Sequence, residues 1–575
     1  MDKSCVTSEL INGLGKRSTA VVYLNDNVLS LCVFRELNKV LDWIERYQNI
    51  QGDEKIDGVI FTSTKNKIFL AGADLYHLKS VLDDKSAWGD RILETLIQEG
   101  QRTFNRIERL KIPTVAAIHG ACLGGGGELA LACDYRICTD DKSTKIGWPE
   151  VQLGILPAWG GCTRLPEIIG TTAALTAILT GKQYAPKPAL KIKLIDKIVH
   201  RENLLDHARE FAHKEKVVNE RPFSLIPSSI VFNKAKQNVL AKTKGNYPAP
   251  LKILEVLRKG TDGFRSDSFR LEQEAFIELC RTPEMYNLLR VFCLQEESKK
   301  LLVDEWKCAR VNNAVVVGAG TMGAGIAQWM SSRGVHVLLK DITDELVAKG
   351  LKSIGDLYVQ GVLGHKMDRP TARDGIARIT TSTTDVSLRN KVIVIEAIVE
   401  NLSVKQKVLA QLEEQLPDDA IIATNTSALS IDEMASCLKR PERFVGIHFF
   451  NPVHKMKLVE VVKGSKTNDI TVKRAVAFVQ QIGKLPIIVK DSPGFVVNRI
   501  LVPYLIKAAE MLDRGSQMEA IDSAMVKFGM PMGPFRLMDE IGLDVCYHVA
   551  DDLRSRLDLQ CSLDELAWRI SRGEL

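Results

Sequence analysis

Two carboxylates and a run of glycines form the first group of residues with chemical potential. Gly124-Gly125-Gly126-Gly127 leads into Glu128, and a second acid, Glu150, stands 22 positions on in Gly147-Trp148-Pro149-Glu150. Adding water to a conjugated double bond needs a group that takes a proton from water, a group that gives one to the α-carbon, and donors for the developing enolate oxygen. Two carboxylates facing one cavity can share the proton work, which contributes about 10²–10⁴-fold. Backbone N–H groups at a glycine-rich helix start can serve the oxygen, because without Cβ atoms the backbone approaches closely.

The second group begins at Gly318-Ala319-Gly320-Thr321-Met322-Gly323, which follows an apolar strand and opens a helix. N–H groups so placed can receive a pyrophosphate. Asp341 ends the next strand at about the 20-residue spacing of a ribose-binding acid. A carboxylate there bonds the ribose hydroxyls and repels a 2′-phosphate, so NAD is expected rather than NADP. Far downstream, His448 ends another strand, where parallel-sheet sites open. It could take the proton of an alcohol beside a hydride acceptor, with an acid partner to fix its tautomer. Hydration would make an alcohol, and the second group would oxidise one.

These groups need rigid elements to hold them. From Thr19 to about Thr180, β-rich runs alternate with helical patterns: Leu37, Val40, Leu41, Ile44 and Tyr47 form a 3.6-period stripe, and strands are expected at Asp57–Ser63 and Thr114–Ile118. From about Lys191 to Glu305 the chain is polar, helical and proline-marked, with charged helices such as Ser298–Lys307, and reads as a connecting or packing region. At Val311 the α/β rhythm restarts, with strands at Ala314–Val317, Val335–Leu339, Val392–Ile395, Ala420–Ala423 and Phe444–His448. After Asp491-Ser492-Pro493-Gly494 the pattern is helical. The expected division is 1–190, 191–308, 309–491 and 492–575.

A chain of 575 residues exceeds one core. Its net charge of +6 without a basic block gives no case for nucleic acid, and no apolar run reaches the roughly 18 residues of a membrane span. Met1–Arg17 carries no signal-peptide or transit-peptide pattern. The twelve cysteines are scattered, with no ligand-like spacing, so buried thiols, no metal and a cytoplasmic location are expected. Asp134 and His119 read as structural.

Phe69-Leu70-Ala71-Gly72-Ala73-Asp74, the segment Ala117–Ala130 and Trp148–Pro157 resemble the crotonase (enoyl-CoA hydratase) superfamily. The resemblance implies a ββα spiral fold, an oxyanion hole from the N–H groups of Ala73 and Gly125, and Glu128 and Glu150 as the acid/base pair. Having both glutamates favours a hydratase, with double-bond isomerisation as a side activity. Ala158-Trp159-Gly160-Gly161-Cys162-Thr163-Arg164 departs from the family, which usually has Gly first and Thr directly after the glycine pair.

Glu396–Asn401, Asn425-Thr426-Ser427, His448-Phe449-Phe450-Asn451-Pro452, Leu458-Val459-Glu460 and Pro493–Arg499 resemble L-3-hydroxyacyl-CoA dehydrogenase. That resemblance implies a Rossmann domain followed by a helical domain, His448 as base and Glu460 as its orienting partner. Ser427 and Asn498 would bond the substrate oxygens, and Ile398, Val399, Glu400, Lys405, Ser427 and Asn451 would line the nicotinamide and ribose region, beside the Gly318, Gly320, Met322, Gly323 loop.

The two halves together resemble the multifunctional α-subunit of fatty-acid β-oxidation. Acyl-CoA thioesters and a 3-ketoacyl-CoA thiolase subunit are the implied partners. Members of that family carry a second helical domain after the first, whereas this chain stops at Leu575, so the C-terminus is expected to be shortened and 493–575 to pair with a second copy. Two alternatives stay open: a hydratase/isomerase with an impaired dehydrogenase half, and a non-catalytic docking subunit for a thiolase.

Overall fold

The computed structural model describes residues 4–12, 17–50, 55–84, 87–217, 227–301, 309–364, 366–390, 392–543, 546, 547 and 550. It divides into two compact units, Met1–Cys293 and Leu294–Leu575.

In the first unit, six strands form one sheet in the order Val6–Asn12, Ser18–Leu24, Ile56–Ser63, Thr114–Ile118, Tyr135–Thr139, Lys197–Val199. Only the first pair is antiparallel. A smaller sheet takes Ile68–Leu70, Ala121–Leu123, Lys145–Gly147 and Gln183–Tyr184. The chain thus passes repeatedly from a strand of the large sheet to one of the small sheet and then to a helix, which is the expected ββα spiral. One such crossing is made at Gly120, whose φ is +70° and whose missing Cβ would lie 2.0 Å from the Lys67 carbonyl carbon. The apolar stripe lies on the helix Leu31–Tyr47, which Ser30 caps by accepting from the Val33 N–H. It buries Leu37, Leu41 and Ile44, each contributing roughly 1.5–3 kcal/mol.

The polar segment after Lys191 forms the helices Ser228–Thr243, Pro248–Asp262, Arg265–Cys280 and Pro283–Lys300. Phe232, Ile253, Phe276 and Leu289 join the same core as the spiral's own residues, so the segment as far as Cys293 is packed into this unit. The expected helix at Ser298–Lys307 runs into positions 302–308, outside the described residues.

The second unit is built on an eight-stranded sheet in the order Ile379–Ser382, His336–Lys340, Asn313–Val317, Ile393–Glu396, Ile421–Thr424, Phe444–Phe449, Leu458–Lys463, Leu485–Lys490. All pairs are parallel except Phe444–Phe449 with Leu458–Lys463. The chain enters at Asn313–Val317, winds outward to one side, then restarts at Ile393–Glu396, and this reversal is where doubly wound sheets open a ligand crevice. The five expected strands fall within about a residue of their places. The three not expected flank them: Ile379–Ser382 is half-exposed, Leu458–Lys463 hides a glutamate among its valines, and Leu485–Lys490 buries only Pro486 and Val489. The helices Val497–Asp513, Met518–Phe528 and Pro534–Ile541 follow, sharing a cluster of Leu505, Ala508, Ile521, Phe535, Met538 and Cys546.

Candidate active sites

Gly124 turns the chain from Ala121–Leu123 into the buried helix Gly125–Ala132 at φ +53°. At Gly125 a Cβ would stand 2.4 Å from the Trp159 ring, so the helix start lies hard against the loop that follows Pro157. Glu128, in the first turn, is 2% exposed. Its Oε1 accepts the N–H groups of Trp159 at 2.7 Å and Gly161 at 2.8 Å. Burial nevertheless pushes its carboxyl up to about 7, against the pull of those amides and Arg164. Glu150 lies in the short 3-10 helix Pro149–Leu153 rather than an open loop. Burial and the neighbouring Glu128 charge hold it well above the usual carboxylate range, and its buried Oε2 has no hydrogen-bond partner among the described residues.

Both glutamates line one cavity, walled by Leu75, Leu78, Leu96, Ile97, Leu153, Ile155, Leu156, Trp159 and Phe276. Ala73 and Gly125 line it too. The Ala73 loop is fixed by Leu29 N–H donating to the Gly72 carbonyl at 2.8 Å and Ala71 N–H to Asn27 at 2.7 Å. Gly125 opens its helix, where an N–H has no carbonyl partner within the helix. Two carboxyl groups, one bonded by amides and one with a buried oxygen left without a partner, in an apolar cavity that Ala73 and Gly125 also line, are equipped for proton transfer at a carbonyl compound.

Outside the cavity, His119 bonds the Lys65 carbonyl at 2.7 Å, and Asp134 accepts from the Thr114 N–H and hydroxyl, both at 2.8 Å. Both are structural, as expected. The ten described cysteines are thiols, most of them buried.

In the second unit, the glycine loop has an internal logic. A Cβ at Gly318 would meet the Ala397 carbonyl at 2.5 Å, and one at Gly323 the Gly318 carbonyl at 1.8 Å, whereas at Gly320 nothing lies within 4 Å. The outer glycines serve packing, and Gly320 leaves the approach open for a pyrophosphate. Met322 is half-buried against the core. Asp341 accepts the Ala319 N–H at 2.6 Å, which holds the acid against the loop.

His448 and Glu460 are direct cross-strand partners of the antiparallel pair. Imidazole Nδ1 stands 2.7 Å from Glu460 Oε2. The other oxygen, Oε1, accepts the N–H groups of Val496 at 3.0 Å and Val497 at 2.9 Å. The carboxylate is fully buried and ties the sheet to the helix Val497–Asp513. The ring packs on Phe450 and Phe495, with centroids 4.5 and 5.7 Å away. Asn498 Nδ2 donates to the Ser427 carbonyl at 3.0 Å, which brings both residues to the same end of the sheet. Lys405 is buried and paired with Glu396 at 2.7 Å and Glu400 at 3.2 Å. Against burial, Lys405 and bonds from Thr426 and Ser427 hold Glu400 below the usual carboxylate range. Val399 is 67% exposed and Asn451 lies open; neither touches His448 by a hydrogen bond.

Four contributors escape sequence reasoning. Asn425 Oδ1 accepts the Phe449 N–H at 2.8 Å and fixes the strand end beside His448. Glu396 neutralises Lys405. Phe276 and Glu272 come from the supposed connecting helices; Glu272 binds the loop that holds Glu128. A lone glutamate on a charged helix gives no signal in sequence.

Residues 20–244 match the family model for enoyl-CoA hydratase/isomerase. Residues 313–492 match the NAD-binding domain of 3-hydroxyacyl-CoA dehydrogenase, and 494–567 its C-terminal domain. Fold and comparisons together define a crotonase-type hydratase joined to an NAD-dependent 3-hydroxyacyl-CoA dehydrogenase. The chain is 40% identical over 521 residues to the fatty acid oxidation complex subunit alpha of Shewanella frigidimarina, covering 88% of this chain and 72% of that one. With the subunit of Shewanella putrefaciens it shares 41% over 541 residues, covering 91% and 76%. It belongs to the family of fatty acid oxidation complex alpha subunits, acts on acyl-CoA thioesters in β-oxidation and uses NAD. Among the described residues no helix is long and apolar enough to cross a membrane.

Proposed function

We propose that Glu128 and Glu150 hydrate trans-2-enoyl-CoA to L-3-hydroxyacyl-CoA and that His448 then drives its oxidation to 3-oxoacyl-CoA. Glu128, whose anion the Trp159 and Gly161 amides support, takes a proton from water. Glu150, without such donors and held well above the usual carboxylate range by burial and the Glu128 charge, is the acid that delivers a proton to the α-carbon. The Ala73 and Gly125 N–H groups receive the thioester oxygen as it becomes an enolate. The observation that carries this assignment is Glu150 Oε2, a buried carboxylate oxygen left without a partner beside the cavity; such atoms are rare and costly unless a ligand completes them.

This division of labour predicts a bell-shaped pH profile. A carboxyl raised to about 7 must lose its proton for the base to work, so the rate constant for crotonyl-CoA hydration rises through pH 7. It falls again at higher pH as Glu150 ionises. Below pH 6 the rate should drop about tenfold per unit. A flat rate between pH 5 and 7, read by loss of the enoyl thioester absorbance, would contradict it.

NAD held at this site would supply the acceptor for the hydride of the 3-carbon. His448 takes the hydroxyl proton through Nε2, and Glu460 at Nδ1 orients the ring and stabilises the imidazolium. Ser427 and Asn498 bond the substrate oxygens. Gly318, Gly320, Met322, Gly323, Asp341, Ile398, Val399, Glu400, Lys405, Ser427 and Asn451 hold the dinucleotide. The working division is 1–190, 191–308, 309–491 and 492–575, in the cytoplasm, with a 3-ketoacyl-CoA thiolase subunit taking the product.

Residues 493–575 pair with a second copy in this proposal. Ile500 and Phe528, 70% and 80% exposed on these helices, support it. Light scattering should give a dimer at micromolar concentration; a monomer would contradict the pairing.

A further inference from the structure

Glu272 is a fully buried carboxylate on the helix Arg265–Cys280. Its Oε2 accepts the Gly160 N–H at 2.7 Å, and its Oε1 accepts both the Thr163 N–H and the Thr163 hydroxyl at 2.6 Å. The same loop donates the Trp159 and Gly161 N–H groups to Glu128. Amides 159 and 161 therefore serve one acid while 160 and 163 serve another, all at the start of the helix Gly161–Ile169, where anions are favoured.

The loop between the two acids has little freedom. Gly160 has φ +106°, and a Cβ there would strike Arg164 Nη1 at 1.9 Å. A Cβ at Gly161 would lie 2.9 Å from Glu128 Oε1. The helix bearing Glu272 is braced against this region twice more. Gln101 Nε2 bridges the Ala158 and Phe269 carbonyls at 2.8 and 2.9 Å, and Arg265 and Arg164 share Glu108. One turn beyond Glu272, Phe276 reaches the cavity wall.

We propose that Glu272 is a positioning residue for hydration: by holding the Gly160 and Thr163 amides it sets the register of the 159–163 loop and so aims the Glu128 carboxylate at the substrate. A packing role alone does not call for an acid here, since a buried carboxylate is disfavoured against an apolar residue of similar size. Burial and the Glu128 charge do push Glu272 up to about 8. Three donors hold it in place all the same, and they belong to the loop that aims the base.

The inference rests on Glu128 being the hydration base, and the experiment separates the two. Glu272→Leu and Glu272→Gln are compared with Glu128→Gln in the full chain, using crotonyl-CoA for hydration, circular dichroism and thermal melting to check that the unit Met1–Cys293 is folded, and 3-hydroxybutyryl-CoA with NAD to read the second unit. Glu272→Leu should lower the hydration kcat about 10²-fold, the effect of a misplacement near 1 Å, with KM within about threefold and the oxidation rate unchanged. Glu272→Gln keeps the shape but must turn its NH₂ toward either the Gly160 or the Thr163 donors, so its kcat should fall between those of Glu272→Leu and the wild type. A wild-type kcat in Glu272→Leu while Glu128→Gln is inactive would overturn the positioning role alone. An active Glu128→Gln would overturn the assignment beneath it. If Glu272→Leu does not fold, Thr163→Val and Glu272→Gln decide: unchanged kcat in both overturns the proposal, and a reduced kcat at constant KM supports it.

Discussion

Glu128→Gln is expected to lower hydration of an enoyl-CoA by about 10³-fold while leaving oxidation of added 3-hydroxyacyl-CoA at its wild-type rate. Glutamine keeps the volume of the side chain and an oxygen for the Trp159 and Gly161 amides. It cannot accept a proton from water. Removing an ionisable group from a site that is 2% exposed does not threaten the fold, because the burial that raises this carboxyl is a cost of the charged form. The hydrogen bonds of Glu128 stay within the unit Met1–Cys293, so the oxidation chemistry of Leu294–Leu575 is untouched. Stopped-flow loss of enoyl absorbance and NADH formation from the hydroxyacyl thioester read the two activities separately. A variant that loses both while remaining folded would refute two separate sites.

His448→Gln is expected to do the reverse, reducing NADH formation by about 10³-fold or more with hydration intact. The loss reflects the missing base, since glutamine can hold a substrate hydroxyl but cannot take its proton. Glu460→Gln should fall between. Its two oxygens have different duties, one on His448 Nδ1 and one on the Val496 and Val497 amides. An amide side chain must turn its NH₂ toward one of these donor sets. Leaving buried donors unpaired costs about 1–3 kcal/mol, so Glu460→Gln should also lower the melting temperature. His448→Gln should not, and a full loss of stability there would mean that the histidine is mainly structural.

Much of this arrangement is legible in the chain because its carriers are local. The turn at Gly124, the first-turn Glu128 and the Gly318–Gly323 loop are set by residues adjacent in sequence, and glycine positions have few other uses. The runs 115–118 and 393–395 are continuously apolar because both sheet faces are covered. What is not legible is what long-range packing decides. Leu458–Lys463 hides Glu460 in the middle of a strand, and its pairing with His448 is legible only through the resemblance to the dehydrogenases, because it depends on an antiparallel register that hydropathy does not reveal. Its dual use as His448 partner and anchor of the next helix is likewise a tertiary fact. The polar helices after Lys191 look like connectors by composition. Yet Glu272 and Phe276, on the inward side of one of them, reach the first site. Charge on a helix's outer face conceals what its inner face does.

The most direct test of the central claim is NADH formation from crotonyl-CoA and NAD by the purified chain alone, with no other enzyme present. The two-site account predicts NADH appearing after a short lag, as 3-hydroxyacyl-CoA builds up. It predicts NADH formation lowered about 10³-fold in Glu128→Gln or His448→Gln separately, and recovery when these two variants are mixed, because the intermediate can pass through solution. NADH formed from 3-hydroxybutyryl-CoA but never from crotonyl-CoA would contradict it, as would a mixture of the two variants that stays inactive.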